Sequence, residues 1–171
     1  MERIEHWFVK INGWVLILLL AAMSILIFTN VSLRYLTNAS IIWADEAARY
    51  MMIWMTFLGS GLVLRTGGHV AITNLHDISA PIIQRLLRLI VTLLLLAFFV
   101  MFIWKGMEYA LLMQRQLTPA TRISFTWIYA AMPVGFLLMA IHMALVMRSY
   151  LVENRFRSLE ELGIDSDISI D

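Results

Sequence analysis

The stretch GWVLILLLAAMSILIFTNVSL, Gly13 to Leu33, decides the fold. It runs for 21 residues without a charge. A helix rises ~1.5 Å per residue, so about 20 apolar residues cross the ~30 Å hydrocarbon core of a bilayer. Arg3 and Lys10 precede the run, as basic residues precede a signal-peptide core. The run is longer than such a core, however, and Glu2 and Glu5 are foreign to its basic segment. The expectation is a retained first span. Three further apolar runs follow, which places spans at about 13–33, 47–65, 86–107 and 125–147. Pro81 suits the first turn of the third helix, where a missing N–H costs little. Thr118-Pro119 reads as the turn before the fourth, with Ser124 or Thr126 as its cap. Backbone groups inside lipid must pair within their own segment. The expected fold class is therefore all-α: a polytopic membrane protein with four transmembrane helices.

Composition points the same way. Of 171 residues, 61% are hydrophobic and only 15% charged, whereas a soluble domain has about a quarter of its residues charged. The net charge of +1 gives no basic field for nucleic acid. There is no cysteine, which excludes disulfides, thiolate zinc sites, iron–sulfur clusters and cysteine nucleophiles. Arg3, Lys10, Arg65, Arg85, Arg88, Arg148, Arg155 and Arg157 share one side of the four-span topology. Arg34, Arg49, Lys105, Arg115 and Arg122 share the other. The richer side is expected in the cytoplasm, with both termini. Residues 1–152 form the membrane domain and 153–171 an acidic, solvated cytoplasmic tail. Ile4, Trp7, Phe8 and Ile11 recur at helical spacing. Residues 3–12 thus make either a helix lying on the membrane surface or an extension of the first span.

The densest polar cluster flanks the first outer loop. Asn30 and Arg34 share a helix face, four residues apart, at the end of the first span. Trp43, Asp45, Glu46, Arg49 and Trp54 open the second. Asp45 is spaced to pair with Arg49, and Arg34 to reach Glu46 across the loop. Charges at the interface cost far less than charges at mid-membrane, so a structural clamp is expected rather than an ion path. Nor does any span carry an acid at its centre, which argues against transport by this chain alone. His69 and His142 sit toward the cytoplasmic ends of the second and fourth spans, and a haem would need two such histidines. A haem-binding anchor of a redox complex is the alternative reading. Gly59 and Gly61, and Ala131 with Gly135, offer small faces for close helix approach. No phosphate loop, nucleophile elbow or carboxylate pair suggests catalysis, so the chain reads as a non-enzyme.

Taken together, Asn30-Val-Ser-Leu-Arg34-Tyr35, Trp43-Ala-Asp-Glu46-Ala-Ala-Arg49-Tyr50, Trp54, Phe57-Leu-Gly59, Arg65 and Gly68-His69-Val70 resemble the small membrane subunit of tripartite ATP-independent periplasmic (TRAP) transporters. So does the block Thr118-Pro119-Ala120 with Trp127-Ile-Tyr129-Ala-Ala-Met-Pro133-Val-Gly135. The chain departs from that pattern at Thr73, where the family often has an acid, and at Ser124, where it often has a proline. The resemblance implies a bacterial inner-membrane importer of carboxylate solutes, of C4-dicarboxylate or sialic acid type. In it a periplasmic binding protein captures solute, and a large elevator subunit carries solute with sodium ions. This chain would be the non-catalytic scaffold of the large subunit, in contact with lipid and holding no cofactor, with sodium bound in its partner. Its outer loops, 35–43 and 115–124, would help dock the binding protein.

Overall fold

The computed structural model describes residues 2–65 and 81–153. They form α1 (Glu2–Thr37), α2 (Ala44–Arg65), α3 (Pro81–Leu112), a 3₁₀ turn (Met113–Arg115), α4 (Phe125–Tyr129) and α5 (Ala131–Glu153). Four helical stretches are long and apolar enough to cross a membrane: His6–Thr37, Ala44–Leu64, Leu89–Arg115 and Phe125–Leu145. The 36 residues of α1 make a rod of roughly 54 Å at the usual helical rise. Residues 3–12 belong to this rod. They are not a separate surface helix, because the helix runs unbroken through Asn12 and Gly13 at the junction of arm and span.

The long helices pack in a row. α1 lies on α2, α2 on α5, and α5 on α3. The chain therefore builds an open layer, with α1 and α3 at its edges, rather than a closed bundle. Its core is small: Leu64, Phe99, Met139 and Met143 are buried, with Leu95, Leu96, Phe136 and Ala140 against them. Phe136 gathers Phe57, Phe98, Phe99 and Phe102 around it at ring separations of 4.9–6.1 Å. The α2–α5 crossing is close because Gly135 has no side chain. A Cβ there would stand 2.6 Å from Phe57 Cβ and 2.9 Å from its carbonyl oxygen. Only 6% of the most apolar window of α1 is buried, against 39% in the fourth stretch. Most of the apolar surface thus faces outward, which a bilayer or a membrane partner tolerates and water does not.

The entry to the fourth crossing is jointed. Ser124 caps α4, its hydroxyl oxygen accepting from the Thr126 N–H at 3.3 Å. α4 then gives way to α5 at Ala130, because Pro133 has no N–H to continue the ladder. Between α3 and α4 the chain makes a small hairpin, in which the Thr118 N–H donates to Ile123 O and the Phe125 N–H to Gln116 O. Arg122 turns it with φ 57°, and Asn38 ends α1 with φ 52°. Asparagine is one of the few residues with a side chain that tolerate this left-handed position after a helix.

Candidate functional site

Polar side chains gather at both ends of the layer. At the loop end, Asn30 is 2% exposed and ties three segments together. Its Oδ1 accepts from the Ile41 N–H at 2.7 Å and its Nδ2 donates to Asp45 Oδ1 at 3.2 Å. Helix α1, the loop 38–43 and the first turn of α2 are joined through this one side chain.

Glu46 makes the longer link. One carboxylate oxygen accepts from the Ala120 N–H at 2.9 Å, and the other from the Thr121 N–H at 3.1 Å and the Thr121 hydroxyl. Thr118, 1% exposed, braces the same loop. Its hydroxyl accepts from the Ile123 N–H at 3.0 Å and meets the Thr121 hydroxyl at 2.6 Å. The first turn of α2 is thereby sewn to the hairpin before α4. Three donors on one carboxylate favour its ionised form and match an acceptor-only side chain.

This corrects the clamp expected from the sequence. Glu46 does not pair with Arg34, and Asp45 bonds Asn30 instead of Arg49. Among the described residues neither arginine makes an ion pair, and both are exposed. Backbone N–H groups that had no other acceptor outcompeted two solvated guanidinium groups, for which water is a good partner. Ala120 and Thr121 were missed by the sequence reading. The Thr118-Pro-Ala-Thr121 run opposite an interfacial acid is the signal that could have found them.

The other candidates are dispersed. Trp43 is 47% exposed and precedes α2, where its carbonyl accepts from the Ala47 N–H. Trp54 Nε1 donates to the Trp127 carbonyl at 3.1 Å, so the indole fastens α2 to α4. The Trp127 ring itself is 67% exposed. Tyr129 stands edge-on to Tyr109, ring centres 4.9 Å apart. Pro133 is buried against Gly106, and Gly59 meets the Leu16 side chain. Arg65 ends α2. His69 lies outside the described residues.

At the opposite end, His142 is fully buried between α1, α2 and α5. Its Nε2 lies 3.4 Å from Asn12 Nδ2, which also donates to the Leu58 carbonyl at 3.1 Å. Phe8 tilts over the imidazole at 4.9 Å. A Cβ at Gly61 would come 2.6 Å from His142 Cδ2 and 3.3 Å from Nε2. Nε2 is thus engaged by Asn12, and the missing side chain of Gly61 makes space for the ring. Asn12, 6% exposed, was not singled out from the sequence; an asparagine beside the start of an apolar span is the signal for it. Among the described residues no group of three His, Cys, Asp or Glu side chains is placed to hold a metal ion.

The described residues thus form a multi-span helical protein with polar junctions at both ends of the layer. Residues 23–151 match the family described as tripartite ATP-independent periplasmic transporters, DctQ component. The chain belongs to that family, whose match covers well over half of it. It is 38% identical over 96 residues to a putative TRAP transporter small permease protein of Haemophilus influenzae, covering 56% of this chain and 60% of that one. It is 27% identical over 108 residues to a C4-dicarboxylate TRAP transporter small permease protein of Vibrio cholerae, covering 63% of this chain and 47% of that one. An ectoine TRAP transporter small permease protein of Halomonas elongata is 27% identical over 134 residues, 77% of this chain and 69% of that one. The chain thus spans about half to two thirds of the lengths of these relatives. All three are named as TRAP transporter small permease proteins.

Proposed function

We propose that this chain is the small permease subunit of a sodium-coupled TRAP importer of carboxylate solutes, and that it acts as a scaffold for a large elevator subunit. The single observation that carries this reading is the open layer. Asn12, Asn30, Glu46 and His142 fix its segments to one another, while its apolar faces are left broad and uncovered. An elevator needs a part that stays still against the membrane, and a rigid layer with a long apolar face supplies one.

In this reading the loop end faces the periplasm and both termini lie in the cytoplasm of a bacterium, with the chain in the inner membrane. The hairpin 116–124, held by Glu46, is then a preformed contact for the periplasmic binding protein. Sodium and solute bind in the large subunit. Solute chemistry lies outside this chain, as relatives named for a C4-dicarboxylate and for ectoine suggest. The test is co-purification. A tagged copy, solubilised in mild detergent, is expected to bring down a large polytopic subunit in one-to-one ratio. A stable monomer, with uptake unchanged after its deletion, would contradict the proposal.

A further inference from the structure

One flank of α3 is only partly covered by its neighbours: Leu95, Phe98 and Tyr109 touch other helices there, while Leu94, Met101 and Trp104 are exposed. At the loop end a groove of about 850 Å³ is lined by Lys105, Glu108, Arg115, Tyr109 and Tyr129 together with apolar residues of α3. A second, of about 520 Å³, shares Lys105 and Glu108 and adds Met101 and Trp104. A third, of about 330 Å³, lies nearer the middle of the helix and is lined only by Val91, Leu94, Leu95 and Phe98. Val91, Leu94, Phe98, Met101, Lys105 and Glu108 follow one another at steps of three and four, so all three grooves share one helix side.

We propose that this side of α3 holds one glycerophospholipid whose headgroup carries a phosphate and a primary ammonium. Arg115 is exposed and makes no ion pair among the described residues. Its guanidinium is a natural partner for a phosphate, which it binds through two parallel N–H groups. Lys105 adds a second cation, and its neighbour Glu108, 2.8 Å away, adds an anion. That carboxylate repels a headgroup of net negative charge and accepts an ammonium. The groove therefore offers a partner to each charge of a zwitterionic headgroup, and a headgroup without an ammonium leaves Glu108 unused.

The depth profile fits the same occupant. Trp104 and Trp127, 72% and 67% exposed, mark the interfacial level at which the charged groove sits. Lys105 to Leu94 is eleven residues, or roughly 17 Å along the helix, close to the ~15 Å of half the hydrocarbon core. The lining becomes wholly apolar where an acyl chain would begin. A protein helix seated on this side would have to desolvate the exposed Lys105–Glu108 pair, which is costly. A lipid headgroup leaves that pair in the hydrated layer. The proposal rests on membrane placement alone and is independent of the solute.

The test uses the full chain in nanodiscs of equal phosphatidylethanolamine and phosphatidylglycerol, released into mild detergent and weighed by native mass spectrometry. One phosphatidylethanolamine per chain is expected to remain. Arg115→Glu is expected to weaken its retention about tenfold, the worth of one charge-assisted contact. Leu94→Trp, at a position 65% exposed and outside the packed core, is expected to displace the acyl chain without disturbing the fold. Glu108→Gln is expected to shift preference toward phosphatidylglycerol. Equal retention of the two lipids by the native chain, or retention unchanged in both Arg115→Glu and Leu94→Trp, would overturn the proposal. So would displacement of the bound mass by inorganic phosphate, or a photo-crosslinker at Phe98 that captures protein instead of acyl chains.

Discussion

Glu46 and Thr121 are joined by two hydrogen bonds, from the Thr121 backbone N–H at 3.1 Å and from its hydroxyl, across a separation of 75 residues. With the Ala120 N–H on the second oxygen, one side chain closes the loop end of the layer.

Removing that carboxylate leaves two backbone donors without their acceptor. Glu46→Ala is expected to lower the denaturant midpoint of unfolding in detergent. Arg34→Ala is expected to stay within about 0.5 kcal/mol, because an exposed arginine without an ion pair contributes little. Equal losses in the two variants would restore the ion-pair clamp. Glu46→Ala should also weaken assembly more than sodium dependence. Altered sodium affinity with intact assembly would make Glu46 part of an ion site.

The Asn12–His142 junction depends on the space at Gly61. Gly61→Ala forces a methyl to within 2.6 Å of the imidazole and is expected to cost about 1–3 kcal/mol by overpacking. His142→Ala should relieve that clash, so the double variant is expected to lose less than the sum of the single ones. Strict additivity in unfolding measurements would show that the two residues do not touch.

Two glycines should respond in opposite directions. Gly135→Ala drives a Cβ against the Phe57 backbone and should separate α2 from α5, at about 1–3 kcal/mol or more. Gly13→Ala meets nothing within 4 Å and is expected to stabilise α1 by up to about 1 kcal/mol through helix propensity. Thermal unfolding of both variants in the same detergent compares them directly.

Trp54→Phe keeps an aromatic ring on α2 but removes the N–H that reaches the Trp127 carbonyl. The expected loss is about 1 kcal/mol, with greater hydrogen exchange along Phe125–Tyr129. Unchanged protection of α4 would mean that Trp54 does not hold it.

What could be read from the chain, and what could not, divides by distance along it. The existence of four apolar helices follows from local composition, and the Ser124 cap from a local signal. Asn30 was recognised because its helix face was visible in a spacing of four. Its acceptor role toward Ile41 depends on how the loop 38–43 folds back. For Glu46 the sequence offered only nearby cations, whereas its partners are backbone groups of a loop 74 and 75 residues away. The only trace of those donors in the sequence is the Thr118-Pro-Ala-Thr121 run, far weaker than a nearby opposite charge. The same limit hid Asn12 from His142, 130 residues apart. The jointed start of the fourth crossing was legible in principle from Pro133.

The most direct measurement of the central claim is uptake into vesicles. The chain alone, reconstituted with an inward sodium gradient and binding protein loaded with labelled solute, is expected to show no uptake above empty vesicles. The same vesicles with the large subunit added are expected to accumulate solute. Sodium-driven accumulation by this chain alone would contradict its role as a scaffold.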